Sequence, residues 1–202
     1  MTAIAAAAPV THAAPLTRLA VAGARASGSD IGLKLDHYTD LRTDTAFKWG
    51  TFLVSKFGSD GERVADTGIK LYQGTKLGGQ KSLEWANFLA NKHGVQAADG
   101  VASIGANIAS ETSLTSTKSL EWANFLAAKH GADAAYGVAN IGLRLDSATD
   151  LSSQKSFEWA NFLANYHGLP KAANVADTGI RIHQQTSMSG QASLNQAHYD
   201  AR

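Results

Sequence analysis

The sequence predicts an all-α chain: an α-solenoid of tandem two-helix repeats of about 37 residues, with four complete units and a degenerate half unit at each end. Three observations predict it. Trp49, Trp85, Trp122 and Trp159 are spaced by 36, 37 and 37 residues inside the related segments AFKWGTFLVSKFG, SLEWANFLANKHG, SLEWANFLAAKHG and SFEWANFLANYHG. A second motif recurs between them as VADTGIKL from Val64, VASIGANI from Val101, VANIGLRL from Val138 and VADTGIRI from Val175. Of 202 residues, 36 are Ala and a further 19 are Gly, and such small side chains favour helix axes that approach closely.

Residues 1–27 are rich in Ala, Thr, Pro and Ser and lack the period. They read as a flexible leader, with a degenerate capping helix around Leu16 to Ala26 as the alternative. Residues 28–202 form the repeat domain. It begins with SDIGLKLDHYTDL from Ser29, a second helix without a recognisable first. The complete units are 43–78, 79–115, 116–152 and 153–189, followed by a partial unit at 190–202.

Within a unit, the first helix opens at Thr43, Gly79, Ser116, Ser153 or Gly190, residue types suited to N-capping. It closes at Gly58, Gly94, Gly131 or Gly168, which suit a left-handed position after a helix. His93, His130 and His167 stand just before three of those glycines, where a last-turn cation meets the negative helix end. The second helix follows at once, with Pro170 tolerated in its first turn. It runs to Thr39, Thr75, Thr112, Thr149 or Thr186, each followed two residues on by Leu or Met. Helices of roughly 13 and 16 residues joined by short loops make antiparallel pairs. At the C-terminus, QASLNQAHYDAR starts another first helix but puts Gln196 where the others have Trp, as suits a terminal face.

Helical periodicity assigns the faces. From Leu120, a wheel at 100° per residue puts Trp122, Ala123, Phe125, Leu126 and Ala127 on one broad apolar arc, so the aromatic ladder reads as core. In the second helix, Val138, Ile141, Gly142 and Leu145 share a face and Ala139 with Leu143 another, which predicts burial on two sides. Gly68, Gly105, Gly142 and Gly179 recur there at a cost of about 1 kcal/mol each relative to Ala, which a close helix crossing would offset.

Two polar ladders are the candidate binding features. The exposed strip of the first helices carries Glu84, Asn87, Asn91, Glu121, Asn124, Glu158, Asn161 and Asn165. Asn is a poor helix former, so its return at one position implies amides that bridge adjacent units or a polar surface offered to a partner. The other ladder is basic: Lys34, Lys70, Arg144 and Arg181, interrupted by Asn107. Asp30, Asp66 and Asp177 stand four residues before three of these cations, the favoured polarity for helical ion pairs. A solvated, pair-supported strip is the expectation, with phosphate tracking the alternative.

No constellation departs from the repeat in a way that suits chemistry, so the chain reads as non-enzymatic and free of cofactors and metals. It has no Cys, a net charge of +1 and 17% charged residues, which exclude thiol chemistry and a strongly basic nucleic-acid protein. No apolar run of about 18 residues predicts a membrane span. The stretch GGQKSLE from Gly78, with His93 and Gly94 at its close, resembles the helical repeats of transcription activator-like DNA-binding proteins. The helix is about a turn shorter here and the Gly pair is missing from the units at 116 and 153, so the chain is not assigned to that family.

The leading expectation is an interaction scaffold that presents a repeated helical surface to a protein partner or to copies of itself. A second reading takes residues 1–27 as the leader of a bacterial-type effector, exported by a non-Sec route to bind a host protein. A helical-repeat protein with weak nucleic-acid affinity is the third. The location follows the reading: cytoplasmic, or exported without a Sec signal peptide.

Overall fold

The computed structural model describes residues 26–202; residues 1–25 of the proposed leader, and with them nearly all of its alternative capping helix, lie outside the described residues. Among the described residues there are ten α-helices and no strand. They are α1 (Gly28–Tyr38), α2 (Thr43–Phe57), α3 (Gly61–Gly74), α4 (Gly79–His93), α5 (Val95–Glu111), α6 (Ser116–His130), α7 (Ala132–Ala148), α8 (Ser153–His167), α9 (Leu169–Gln185) and α10 (Gly190–Asp200). Even-numbered helices are the first helices of the units and odd-numbered ones the second. The complete first helices have 15 residues and α5, α7 and α9 have 17, each slightly longer than the pattern suggested.

Local chemistry sets the ends. The hydroxyls of Thr115, Ser152 and Ser189 accept from the N–H groups of Lys118, Lys155 and Ala192, so the N-caps fall one residue before the expected positions. Ser27 and Asp30 form a reciprocal capping box at α1. Gly94, Gly131 and Gly168 have φ of 82°, 83° and 74°, as a glycine-specific position requires, but their ψ values of 153°, 155° and 155° are extended rather than left-handed helical. That region is essentially closed to residues with a Cβ. One glycine thus ends the first helix and starts the second. At the other end, the recurrent Thr donates its hydroxyl to the carbonyl four residues back and accepts from the N–H two residues on, as Thr75 does with Leu71 and Leu77. This accounts for the Thr-x-Leu signature.

The helices pack as sequential neighbours. Each second helix packs on the first helices before and after it, and α3, α5, α7 and α9 touch one another in turn. First helices barely meet. The largest fully buried side chains are Phe157 and the Leu and Ile of both motifs, among them Leu83, Leu89, Ile108, Leu120, Leu126 and Leu145. The recurrent glycines mark the closest crossings. A Cβ on Gly105 would lie 2.5 Å from Cδ2 of Leu120, and one on Gly142 would lie 2.5 Å from Cδ1 of Phe157.

One face assignment is corrected. Trp159 is buried and the other tryptophans are half-buried, as the aromatic core reading requires, but Phe52, Phe88, Phe125 and Phe162 are 42%, 42%, 42% and 41% exposed. The cause is the gap between first helices. A helix wheel shows an apolar arc as one surface, yet only the part that meets a second helix is covered, and the flank turned toward the next first helix stays open.

Candidate functional site

The open flank of the first helices forms a repeated surface. In every complete unit a Trp and the Phe three residues later meet edge to face, with ring centroids 5.4, 5.5, 5.5 and 5.3 Å apart. The indole Nε1 of Trp49, Trp122 and Trp159 donates to Oε1 of Gln80, Gln154 and Gln191 in the following unit, at 2.9, 3.0 and 2.9 Å. At Trp85 the matching residue is Thr117. Between α6 and α8 these groups line a cleft of about 240 Å³ with Lys118, Glu121, Trp122, Phe125 and Gln154. The equivalent cleft between α8 and α10, about 300 Å³, has Lys155, Glu158, Trp159, Phe162 and Gln191. The polar rim is internally paired: Glu84, Glu121 and Glu158 accept from Lys81, Lys118 and Lys155 of their own helices at 2.7, 2.7 and 2.6 Å. For Glu84 and Glu158, the hydrogen bond from that lysine and a second from Gln80 or Gln154 hold the carboxyl below its usual range.

The asparagines bridge units. Oδ1 of Asn87 accepts from Lys56 at 2.9 Å, while Nε2 of His93 and of His130 lies 3.0 and 3.1 Å from Oδ1 of Asn124 and Asn161. Asn91 and Asn165 turn back onto Asn87 and Asn161 of their own helices. The repeated histidines therefore reach the next first helix in addition to standing at helix ends. In the last unit His198 replaces the Asn, and its Nδ1 lies 2.9 Å from Nε2 of His167. Burial pushes both imidazoles below the usual range; His198, Lys171 and Arg202 add to the effect on His167, and Arg202 to that on His198.

The basic ladder is paired, but not as its spacing suggested. Lys34 binds Glu62 at 3.1 Å and Asp66 at 2.5 Å, Lys70 binds Asp99 at 2.5 Å and Arg144 binds Asp177 at 2.7 Å, each carboxylate belonging to the next unit. None of the expected i,i+4 pairs forms. Asp30 is turned to Ser27 instead, and Asp66 and Asp177 are drawn to the cations of the preceding unit. For Lys34, burial lowers the ammonium pKa, but the hydrogen bonds to Asp66 and Glu62 outweigh it and the net shift is upward. Arg181 makes no ion pair among the described residues.

A further cross-unit contact escaped the motif reading. Asp40 and Asp150, in the loops that follow α1 and α7, accept from the N–H of Gly79 and Gly190 at 2.6 Å, where a Cβ would meet the carboxylate oxygen at 2.7 Å. In the intervening units the loop residue is Lys76 or Ser113, and its N–H donates to the hydroxyl of Ser116 or Ser153. Asp thus goes with Gly and non-Asp with Ser, a correlation that an alignment of the units would have exposed. The Gln partners of the tryptophans were missed for the same reason. Comparison with known proteins found no matching family model, no matching curated protein and no matching solved structure.

Proposed function

We propose that this chain is a non-enzymatic interaction scaffold, an α-solenoid whose first helices offer a repeated surface to a protein partner. The observation that carries the reading is the exposed Phe of each complete unit, set against a half-buried or buried Trp and, on α6 and α8, rimmed by Lys, Glu and Gln. An isolated exposed apolar residue is ordinary, but the same exposed ring at four equivalent positions is a patterned surface. Its order comes from the second helices: their close stacking and the cross-unit ion pairs hold successive first helices in a fixed relation. Partner-binding roles for Glu84, Asn87, Asn91, Glu121, Asn124, Glu158, Asn161 and Asn165 narrow accordingly, since these groups are largely engaged within or between units. They act as the polar frame around the rings. The engaged Lys34, Lys70 and Arg144 speak for a protein rather than a nucleic-acid partner.

The test is site-specific photo-crosslinking in the native host, with the reactive group in place of Phe125 or, as a control, of Lys70. The expected result is a discrete adduct from Phe125 and none from Lys70. Absence of adducts from both positions, with a monomeric mass by light scattering at high concentration, would overturn the scaffold reading.

A further inference from the structure

We infer that the Phe–Lys row of α2, α4 and α6 docks an acidic protein segment studded with apolar side chains, an inference that rests on the scaffold reading. Beside each exposed ring stands a lysine: Nζ of Lys56, Lys92 and Lys129 lies 5.4, 5.6 and 5.5 Å from the ring centroids of Phe52, Phe88 and Phe125. None of the three has a carboxylate within ion-pair distance among the described residues, whereas Lys48, Lys81 and Lys118 on the same helices pair with Asp44, Glu84 and Glu121. Each of these helices carries two lysines against one carboxylate, although the whole chain has a net charge of only +1. Positive charge is therefore left over beside the rings.

A ligand that satisfies one repeat must place an apolar group on the Phe and the Trp edge and a carboxylate on the Lys, whose ammonium already lies over the ring. An acidic segment with interspersed Leu or aromatic residues does both, and repetition over three units converts weak contacts into useful affinity. Duplex DNA fits poorly, because one lysine without a carboxylate on each of three first helices is sparse against a phosphate charge every ~1.7 Å of helix axis. A lipid surface fits poorly too, since the Lys–Glu pairs interrupt the apolar row in α4 and α6. On a second copy of the chain Glu62, Asp66, Asp99 and Asp177 are already engaged, and the exposed Asp60, Glu111 and Asp133 stand singly, far apart in sequence, rather than in one acidic segment. In α8 the lysine position is taken by Tyr166, so the charged part of the row ends with α6.

The test is selection of displayed random peptides of about sixteen residues on the immobilised chain, followed by affinity measurement of the enriched peptides. Enriched peptides should carry surplus Asp and Glu with at least two apolar residues. Their affinity should fall about tenfold or more with Phe88→Ala plus Phe125→Ala, and likewise with Lys56→Glu, Lys92→Glu and Lys129→Glu together. The triple Gln variant should fall less, Lys70→Gln should leave binding unchanged, and added salt should weaken it. Coincident circular dichroism and melting curves would show that the variants fold. The inference is overturned by enrichment of basic or neutral peptides, by acidic peptides that ignore both variant sets, or by no enrichment at all. Comparable affinity for phosphatidylserine vesicles or duplex DNA, or a dimeric mass abolished by the same substitutions, would also overturn it. Each of these failures leaves the photo-crosslinking result standing, so the scaffold reading is judged separately.

Discussion

Every complete unit except 79–115, where Asn107 interrupts the second-helix ladder, carries cations on both of its helices, and the two rows do opposite things. On the second helices, Lys34, Lys70 and Arg144 reach into the next unit and close on its carboxylates, tying the stack together. On the first helices, Lys56, Lys92 and Lys129 have no such carboxylate and lie over exposed phenylalanines. The difference follows from helix spacing. Second helices touch one another, so their cations find carboxylates across the contact, whereas first helices are joined mainly by side-chain contacts such as the hydrogen bond from Trp49 to Gln80 and keep both apolar surface and unpaired lysine charge on the open flank. Regularity in sequence therefore marks two different things, a joint between units and a surface left open.

The largest expected effect sets two phenylalanines of α8 against each other. Phe157 is fully buried against Gly142 and Phe162 is 41% exposed, so Phe157→Ala should cost about 3–5 kcal/mol and Phe162→Ala under about 1 kcal/mol by denaturant unfolding. Equal losses would erase the distinction between joint and open surface. Gly105→Ala comes next. Its new methyl would press on Leu120, so a loss of about 1–3 kcal/mol should outweigh the gain in helix propensity, and a stabilised protein would contradict the close crossing.

The His167–His198 bridge sharpens the comparison through pH. Both folded pKa values lie below the ordinary imidazole value, so the unfolded chain binds more protons in the window between them. Stability is fully present above the ordinary value and is lost as pH falls through the folded ones. The groups facing the pair are Tyr166, Phe162, Lys171 and Arg202. Melting temperature should drop between roughly pH 8 and pH 5, and His198→Asn, which restores the residue of the three preceding units, should flatten that profile. The smallest effect is a double-mutant cycle. Lys70 with Asp99 should couple by about 0.2–1 kcal/mol as an exposed pair, while Lys81 replaced together with Asp99 should show no coupling beyond error.

Much of this fold is legible in the chain itself. The Trp period, the closing glycines and the Thr-x-Leu signature each act within a few residues, so spacing alone reveals them. Contacts across units were harder to read. The carboxylates that hold Lys34 and Lys70 stand 28 and 29 residues away, while the local i,i+4 pattern offered a nearer and incorrect partner. The exposed Phe row was hidden because a helix wheel does not say how far the next helix lies. The match of Asp40 with Gly79 and of Ser113 with Ser153 is written in the sequence, but only as a correlation between neighbouring units.

The most direct test of a stack of interchangeable units is removal of residues 116–152. This deletion keeps the loop chemistry sound at Lys76, which would meet Ser153 in place of Ser116, and gives Trp85 the partner Gln154, while Gly190 exchanges Asp150 for Ser113. It brings Asn161 within the register of His93 as well. The shortened chain should be a folded protein with unchanged helix content per residue, a cooperative melt, and a maximum dimension by solution scattering shorter by roughly 8–10 Å. A deletion variant that unfolds, or that keeps the full dimension, would contradict interchangeable units.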